Sequence, residues 1–427
     1  MFLWHLLTTS LEVHFNQLMP PHKLKACSEK KLVEAVRHAG MNVPFYRESF
    51  KRAGMDPRDF CGPEDLKKLP FITKDEIRNA FPHAIVADGV DIKKCHYSAT
   101  TGSTGRSLPF IYSPRTFAFY LSTNLRVYTM IGYKPWHRCC YIKYTAMDPV
   151  NIGPFFRFKH IPSVMSIEKQ MDMLRDYRPD FIDGYASIIY EIARKATPDD
   201  LKIIRPKMIL CNSEMSTEHQ RNMISEVFQC PVYDEYSTEE TWMVASLCRR
   251  QNYHLFIDNV WIEILDPDGN EVKPGEPGEV VLTSLRSPAM PFIRYRIGDI
   301  GRLSTRTCDC CSPFPLLESF EGRADDSFIL PDGTYVSSLK ILNTFTMYIK
   351  KYLHLMEEFR VIQRTKDRVD IELVKGKDYH ESQFKELTDA LDVLLKHQVS
   401  ITVTPVEVID LKGKIKRKAI ESWVRQQ

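Results

Sequence analysis

The stretch YSATTGSTGRSLP, residues 97–109, combines small residues, hydroxyl groups and one cation, a composition that suits phosphate binding. Small residues let the backbone approach a polyanion closely, and hydroxyl and amide groups donate hydrogen bonds to phosphate oxygens. A solvated Ser/Thr/Gly loop is the alternative interpretation. The phosphate loop of the usual kinases and ATPases is disfavoured, because its glycines are farther apart and a Lys follows them. The candidate phosphate-binding residues are Thr101, Gly102, Ser103, Thr104, Gly105 and Arg106.

Three further polar motifs follow along the chain. They are YSTEE at 236–240, RYRIGD at 294–299 with EGRADD at 321–326, and GKIKR at 413–417. A carboxylate in the acidic turn YSTEE is a ligand type that suits Mg²⁺. Taken singly, each motif also fits a solvated turn, a surface salt bridge or a basic tail. Their order and spacing are therefore more informative than any one of them.

The four motifs in this order resemble those of the adenylate-forming superfamily of acyl-CoA synthetases and related ligases. The text VPFYRESF followed by EDLKKLPFITKDEIR is similar to the opening of the phenylacetate-CoA ligase-like branch, which includes capsule-associated ligase-like proteins. The chain departs from the pattern at three positions. Arg106 replaces the usual Lys, Ser237 replaces a Gly, and Glu239 stands where a hydroxyl residue is usual.

The resemblance implies a role for each motif. Lys414 in GKIKR would be the catalytic lysine, whose charge stabilises oxygens as the acyl-phosphate bond forms. By straight spacing Glu240 would meet Mg²⁺. With a slip of one residue, Thr238 followed by Glu239 would take these places. The sequence leaves both registers open.

The nucleotide-binding roles implied by the resemblance extend to both sides of the ribose. Asp299 would accept hydrogen bonds from both ribose hydroxyls, Arg323 would support ribose and phosphate, and Asp325 would be the hinge of a reorienting C-terminal domain. Asn212, Ser213, Glu214 and Tyr236 resemble the adenine side, although a helix-capping turn is an equal alternative for the first three. Residues 183–187, DGYAS, resemble a wall of the acyl pocket.

A separate group of cysteines is not required for adenylation. Cys308, Cys310 and Cys311 form the run CDCC, and Cys248 with His254 lies in the preceding β region. Some members of the branch bind zinc at these places, which implies a structural Zn²⁺ site made of Cys248, His254, Cys308 and Cys310. Four protein ligands leave no open position for catalysis. Reduced, buried cysteines are the alternative.

Alternating strand and helix patterns up to about residue 250 predict an α/β layer architecture, and a β pattern begins at residue 253. Thr73 and Glu76 have capping-box spacing, while Ser28, Ser166 and Ser216 are candidate helix starts. We predict a large layered α/β N-terminal domain with a β subdomain, residues 1–325, and a small mobile α+β C-terminal domain, residues 326–427.

Composition excludes several classes of protein. The net charge of +3 over 427 residues gives no reason to expect a nucleic-acid partner. The eleven cysteines are odd in number and irregularly spaced, unlike a secreted disulfide framework. The apolar start MFLWHLL has no basic lead-in, and no apolar run is long enough to span a membrane. We therefore expect a cytoplasmic enzyme without membrane insertion, and we consider a homodimer.

The resemblance implies ATP-dependent adenylation of a carboxylic acid, giving acyl-AMP and pyrophosphate, followed by acyl transfer, most simply to the thiol of CoA. The cofactors implied are ATP, Mg²⁺, CoA and a structural Zn²⁺. Transfer to a carrier-protein thiol or to an amine is the alternative within enzymes. A non-catalytic nucleotide-binding homologue is the alternative outside them, motivated by the three departures from the pattern. The sequence does not identify the acid.

Overall fold

The computed structural model describes residues 2–99, 108–143, 151, 153–214, 216–323, 327–336, 338–352, 355–409 and 419–424. This part contains eleven α-helices and three short 3-10 helices, Pro57–Asp59, Pro63–Lys68 and Ile92–Lys94. The α-helices are α1 Phe2–Leu18, α2 Pro21–Asn42, α3 Pro44–Arg52, α4 Lys74–Ala80, α5 Pro114–Ile131, α6 Ile167–Tyr177, α7 Ala186–Lys195, α8 Pro198–Ile203, α9 Glu218–Phe228, α10 Ser338–Lys351 and α11 Glu381–Leu394.

Nineteen strands lie in the same described part of the chain. The first ten are β1 His96–Ala99, β2 Pro109–Tyr112, β3 Arg138–Lys143, β4 Arg157–Pro162, β5 Phe181–Tyr185, β6 Met208–Asn212, β7 Val232–Thr238, β8 Trp242–Leu247, β9 Tyr253–Leu255 and β10 Val260–Leu265. The others are β11 Gly278–Ser284, β12 Tyr295–Leu303, β13 Leu316–Arg323, β14 Phe328–Ile329, β15 Tyr335–Val336, β16 Met356–Thr365, β17 Arg368–Lys375, β18 Ser400–Pro405 and β19 Ile420–Ser422.

Local sequence signals explain several helix ends. The Thr73 hydroxyl accepts a hydrogen bond from the Glu76 amide and the Glu76 carboxylate accepts one from the Thr73 amide, which is the predicted capping box of α4. The hydroxyls of Ser113 and Ser166 cap α5 and α6 by accepting a hydrogen bond from a backbone amide of the first turn, which is one half of a capping box. Gly132 ends α5 with a φ of 107°, a left-handed value that favours glycine.

Two of the predicted helix starts are wrong. Ser28 lies inside α2, which begins seven residues earlier at Pro21, and its hydroxyl donates to the Ile257 carbonyl oxygen at 2.5 Å. Proline is favoured in the first turn of a helix, and this signal outweighed the serine. Helix α9 is capped by Thr217 with Gln220, one residue after the predicted Ser216. The Ser216 hydroxyl instead donates to Asp234 at 2.5 Å.

An eleven-stranded sheet dominates the chain, in the order β10-β11-β12-β13-β9-β8-β7-β6-β5-β3-β4. Strands β4, β3, β5, β6 and β7 are parallel to their neighbours, whereas β8 runs antiparallel to β7 and β9 antiparallel to β8. The predicted hairpin of the β region is the antiparallel pair of β10 and β11. The carboxyl ends of the parallel strands therefore form one edge, where ligands of open α/β sheets bind.

Both faces of the parallel strands are covered by helices. On one face α6, α7 and α9 pack on residues such as Ile142, Ile182 and Ile209. On the other face α5 packs on residues such as Phe181, Leu210 and Tyr233. Burial on both faces explains why β6 is a nearly continuous apolar run. It also means that a charged residue buried on the central strands requires a partner.

Helix α1 packs on α5 through one face and exposes apolar side chains on the other. Thr9 on the packed face is hydrogen-bonded to Ser122 of α5 at 2.9 Å. Leu3 is 79% exposed and Leu11 is 49% exposed. Among the described residues, no helix is long and apolar enough to cross a membrane. The exposed apolar side chains are Phe2, Leu3, Trp4, Leu7, Leu11, Phe15 and Leu18, which we call the α1 stripe.

By its internal contacts the chain divides into two compact units. The first comprises residues 1–297 and 302–319, and the second comprises 298–301 and 320–427. In the second unit, the sheet β18-β17-β16-β19 packs on α10 and α11 around Ile341, Phe345 and Leu387. The predicted fold class, a layered α/β part and a smaller α+β part, is confirmed. The boundary near Asp325 stays a prediction, since Asp325 lies outside the described residues.

Candidate active site

Polar side chains follow apolar ones at the carboxyl ends of the central parallel strands. Because side chains two apart lie on the same face of a strand, Asp183 is on the α5 face with Phe181, and Glu235 is on that face with Tyr233. Lys143 ends β3, and Asn212 ends β6. The sheet therefore brings these four residues into one polar row at its ligand-binding edge: Lys143, Asp183, Asn212 and Glu235.

Asp183 is 2% exposed and receives donors at both carboxylate oxygens. The Tyr128 hydroxyl donates to Oδ2 at 2.5 Å, the Asn212 amide donates to Oδ1, and the Lys143 ammonium lies 3.8 Å from Oδ1. The Tyr141 hydroxyl oxygen is 2.8 Å from that of Tyr128. Burial lowers the pKa of Lys143, but the charges of Asp183 and Glu235 outweigh it and raise that pKa. Asp183 is thus a fully satisfied buried carboxylate.

Glu235 is 7% exposed and is much less well satisfied than Asp183. Its Oε1 accepts a 3.4 Å hydrogen bond from the Ser237 hydroxyl, and its Oε2 is buried without a hydrogen-bond partner in the described part of the chain. Burial raises the pKa of Glu235, and the Asp183 charge raises it further, while Lys143 opposes the shift. A buried carboxyl oxygen without a partner is costly, so this atom requires an explanation.

The segment that follows β6 is held by local hydrogen bonds. Ser213 has a φ of 62°, and its hydroxyl donates to Asn212 at 2.9 Å. The Glu214 carboxylate accepts a 2.5 Å hydrogen bond from the backbone amide of Ser187, at the start of α7. The sequence left open a helix-capping turn before STEHQ, but Glu214 instead bonds to the first turn of α7, and α9 is capped by Thr217. The predicted part of Glu214 in adenine binding stays a prediction.

The two glutamates of the acidic turn after β7 differ in burial and in their contacts. Glu240 is 5% exposed, and its Oε1 accepts a 2.7 Å hydrogen bond from the hydroxyl of Tyr295, the Tyr of RYRIGD. Glu239 is exposed, and its carbonyl oxygen accepts from the Tyr112 hydroxyl. The Thr238 hydroxyl accepts from the Thr241 amide at 3.0 Å, which closes the turn. Two of the predicted motifs, 55 residues apart, thus meet at Glu240.

Several predicted residues lie outside the described part of the chain. Asp299 is described, within β12 and partly exposed, and the contact division places it in the second unit. Tyr236 is described as a partly buried residue of β7. The backbone of Arg323 ends β13, but its side chain is not described. The predicted residues outside the described part are Thr101, Gly102, Ser103, Thr104, Gly105, Arg106, Asp325 and Lys414.

The structure brings the four predicted metal ligands together. One ligand atom from each of Cys248, His254, Cys308 and Cys310 lies within 4.8 Å of all the others. The Sγ atoms of Cys248 and Cys308 are 3.8 Å apart, and Cys310 Sγ is 3.1 Å from His254 Nε2. Tetrahedral Zn–S bonds of about 2.3 Å place two sulfurs about 3.8 Å apart. Cys311, the remaining member of CDCC, is exposed and outside this cluster.

Neighbouring groups orient these ligands as a metal would require. His254 Nδ1 lies 2.8 Å from the Phe314 carbonyl oxygen, which can only accept, so Nδ1 carries the proton and Nε2 offers its lone pair to the cluster. The Arg250 amide donates to Cys248 Sγ at 3.3 Å, and the Asn252 side chain donates to Cys308 Sγ at 3.5 Å. Donors to sulfur favour the thiolate form, which is the form that binds zinc.

Sequence reasoning missed Lys143, Glu235 and Tyr295 as site residues. Lys143 and Glu235 could have been found from strand parity, since each lies two residues after an apolar residue, Tyr141 or Tyr233, on the ligand-binding edge of the sheet. Tyr295 was quoted only as part of RYRIGD. Its hydrogen bond to Glu240 depends on the pairing of distant strands, which no local pattern reports.

The fold is shared with a known class of proteins. The chain has the fold of adenylate-forming ligases: its structure is similar to that of 2-hydroxyisobutyryl-CoA ligase in the postadenylation state in complex with R3-HIB-AMP, with a TM-score of 0.77 and 19% identity, over 94% of this chain and 90% of the other. No protein-family model matches the sequence.

The chain also has sequence relatives among curated proteins. The chain is 28% identical to phenylacetate-coenzyme A ligase of Thermus thermophilus, over 74% of this chain and 73% of that relative. It is 23% identical to protein CapK of Staphylococcus aureus, over 65% of this chain and 64% of CapK. The resemblance inferred from the motifs, to the phenylacetate-CoA ligase-like branch of the adenylate-forming ligases, is confirmed.

Proposed function

We propose that this protein is an adenylate-forming acid–thiol ligase. In the first half-reaction, a carboxylate oxygen of the substrate acid attacks the α-phosphorus of ATP, and the bond to the β-phosphate oxygen breaks. The products are an acyl-adenylate and pyrophosphate. In the second half-reaction, the thiol of CoA attacks the acyl carbon, loses its proton and displaces AMP. Both steps depend on positioning and charge stabilisation rather than on a covalent enzyme intermediate.

The observation that carries this proposal is the contact between Glu240 and Tyr295. It unites the acidic turn with RYRIGD, beside the carboxyl ends of the parallel strands. The similarity to phenylacetate-coenzyme A ligases and to a CoA ligase solved with an acyl-adenylate supports the same activity. In this assignment Asp299 and Arg323 bind the ribose, Ser213, Glu214 and Tyr236 flank the adenine, and residues 101–106 contact the phosphates.

Glu240 fits the role of magnesium ligand better than Glu239. An ionised carboxylate offers about four acceptor positions, of which the Tyr295 hydroxyl takes one and thereby fixes the orientation of Glu240. Glu239, by contrast, is exposed to solvent. When bound, Mg²⁺ supplies charge neutralisation at the phosphate oxygens. Lys414 supplies a second positive charge to the reacting oxygens.

We assign a structural role to the cysteine cluster, as a zinc site of Cys248, His254, Cys308 and Cys310. The donor set, the 3.8 Å sulfur separation and the tautomer of His254 all fit a tetrahedral Zn²⁺. Four protein ligands fill the coordination sphere, so the metal would stabilise the fold and take no part in adenylation. It would tie β9 and the end of β8 to the segment before β13.

We also propose that the protein acts in the cytoplasm as a homodimer joined through the α1 stripe. All eleven cysteines are described and none is in a disulfide, which suits a reducing compartment. Seven large side chains exposing roughly 100 Å² each approach the ~800 Å² per partner of a standard interface. A membrane-surface helix would carry Lys or Arg on its polar face. Helix α1 has neither.

Pyrophosphate release tests the proposed function. The purified protein is incubated with ATP and Mg²⁺ and a panel of aryl and alkyl carboxylic acids, with and without CoA. We expect release that depends on one class of acid and turnover that depends on CoA. Acid-dependent release that is indifferent to CoA would favour a carrier-protein thiol or an amine as the acceptor. ATP binding without release for any acid would overturn the proposal in favour of a nucleotide-binding protein.

The catalytic lysine gives an internal control. Lys414→Ala is expected to lower the rate of adenylate formation by about 100-fold or more, because a charge acting in the transition state is lost. Lys416→Ala, two residues away in the same basic segment, is expected to leave that rate within about twofold. Equal rates in the two variants would contradict the assignment of Lys414.

A further inference from the structure

Glu235 contrasts with the other buried acids of the ligand-binding edge. Asp183, on the same face of the sheet, has donors from Tyr128, Asn212 and Lys143. Asp234, the preceding residue of β7, lies on the opposite face and accepts from Ser216 and Tyr253. Glu235 has one long hydrogen bond, from Ser237, and its Oε2 is without a partner in the described part of the chain.

Burying such an oxygen costs about 1–3 kcal/mol if it stays unpaired. The fold does not require a carboxyl group at Glu235. Its strand neighbours on the same face are Tyr233, an aromatic core residue, and Ser237, a small hydroxyl residue. An apolar residue would be accommodated at this place in the sheet. The carboxyl group therefore serves something other than packing, and a bound molecule that hydrogen-bonds to it would remove the cost.

The position of Glu235 indicates that the molecule bound to its carboxyl group is the acid substrate. Residues 183–187 resemble a wall of the acyl pocket, and Asp183 and Glu235 share one face at the carboxyl ends of β5 and β7. The cation of the polar row, Lys143, already lies beside Asp183. A carboxyl oxygen without a partner in this environment is matched by a hydroxyl or amino group, since an ionised carboxylate accepts from either group and a protonated one can also donate to it.

Resting on the proposed function, we propose that Glu235 is a specificity-determining residue of the acid pocket. It selects a carboxylic acid that carries a hydroxyl or an amino group on the part of the molecule remote from its carboxylate. The substituent donates a hydrogen bond to Oε2 of Glu235. Acids with an apolar group at that place leave the oxygen unpaired and react poorly.

The magnitude of the selection follows from the cost of an unpaired polar group. A site built to hydrogen-bond a substrate hydroxyl rejects the analogue that lacks it much more strongly than an apolar pocket rejects an added hydroxyl. We expect kcat/KM for the preferred donor-bearing acid to exceed that of its unsubstituted partner by about 100-fold or more. The hydroxyl and amino members of each pair distinguish the two kinds of donor.

The test measures kcat/KM for pyrophosphate release with matched acids: phenylacetate and benzoate, their hydroxyl and amino derivatives at each ring position, and short alkyl acids with and without a terminal hydroxyl. It is applied to the wild type, Glu235→Leu, Glu235→Gln and Asp234→Asn. Glu235→Leu is expected to invert the preference toward the unsubstituted acid. Glu235→Gln, which keeps the shape and one acceptor, is expected to retain part of it.

Asp234→Asn is the matched control, because it changes the adjacent carboxylate on the other face and is expected to leave the preference unchanged. The KM for ATP and the melting temperature show whether each variant is folded. Adenylation by the wild type without a preference for donor-bearing acids would overturn the inference and leave the proposed function intact. An unchanged preference in Glu235→Leu would also overturn it. If no acid of the panel supports pyrophosphate release, the proposed function is overturned and this inference with it.

Discussion

The two adjacent glutamates of the acidic turn differ in what holds their side chains. Glu240 is buried and bonded to Tyr295, whereas Glu239 is exposed. From this difference we infer which of the two registers left open by the sequence is the correct one, namely the straight spacing with Glu240 at the magnesium position. The straight spacing places the fixed carboxylate at the magnesium position, and the slipped spacing places the exposed one there.

Glu240→Gln is therefore expected to lower the rate of pyrophosphate release by about 100-fold and to raise the Mg²⁺ concentration needed for half-maximal rate, because a neutral amide is a weaker ligand of a hard cation. The measurement is a Mg²⁺ titration of the initial rate. Glu239→Gln is the control and is expected to change both quantities less than threefold. The reverse ranking would show that the slipped register is the correct one.

A second residue pair concerns stability rather than catalysis. Arg126 and Asp258 form a fully buried ion pair, with Nη1 2.8 Å from Oδ2, and the Asn16 amide donates to the same oxygen at 2.7 Å. The guanidinium also lies over the rings of Phe256 and Phe314, at 4.0 and 4.7 Å. Burial alone would raise the pKa of Asp258, but the charge and hydrogen bond of Arg126 lower it below its usual value.

Asp258→Ala is expected to reduce the free energy of unfolding by about 3–5 kcal/mol, because it leaves Arg126 buried without a counter-charge. The lowered pKa makes this contribution depend on pH. It is fully present above the ordinary aspartate pKa of about 4 and is lost as the pH falls through the lower pKa of the folded state. Urea unfolding of the wild type and Asp258→Ala at pH 7 and below pH 4 measures it. The double variant Arg126→Met with Asp258→Leu is expected to recover part of the loss. A constant difference across the pH range would contradict the ion-pair account.

At the scale of elements, the four residues of the cysteine cluster come from two separated segments, which a bound metal would cross-link. Cys248 and His254 flank the turn between β8 and β9, and Cys308 and Cys310 lie 60 and 56 residues later in the chain respectively. The pairing of β13 with β9 in the sheet is short and consists of Leu316 with His254 and Leu317 with Tyr253. A metal at this place would reinforce that pairing.

Cys310→Ala is accordingly expected to abolish bound zinc, measured as metal per protein by atomic spectroscopy, and to lower the melting temperature by several degrees. A zinc site stabilises the folded state because the ligands are not assembled in the unfolded chain. Cys311→Ala, which removes a neighbouring exposed thiol, is the matched control and should retain the metal. Equal zinc content in both variants, or zinc-free wild type with an unchanged melting temperature after chelation, would contradict the assignment.

The sequence predicts elements better than it predicts the contacts between them. Capping by Thr73, Ser113 and Ser166 depends on residues three or four apart, and the first and last of these were predicted in place. The four proposed zinc ligands, which the structure brings together, were also named from the sequence, because of the resemblance to branch members that bind zinc at these places. The partners of Asp183 and the orphaned oxygen of Glu235 depend on which strands are neighbours and on the helix that covers them. Such information is spread over the whole fold, so no motif contains it.

At the scale of the whole molecule, the α1 stripe gives a prediction about assembly. Leu7→Glu with Leu11→Glu is expected to convert a dimer into a monomer, because two buried charges would face the same charges of the second copy. Light scattering coupled to size-exclusion chromatography measures the mass. Lys25→Glu with Lys30→Glu, exposed residues of α2, is the control. A monomeric wild type at micromolar concentration would contradict the proposal.

The cysteine cluster has one further consequence, which concerns oxidation. Cys248 and Cys308 sulfurs 3.8 Å apart need to approach by less than about 2 Å to form a disulfide of about 2.05 Å. A metal bound to both thiolates would occupy their electron pairs. Without a metal, dissolved oxygen would take two electrons and two protons from the two thiols, giving hydrogen peroxide and the disulfide. The order in which chelator and reductant are added would then determine whether zinc can be restored.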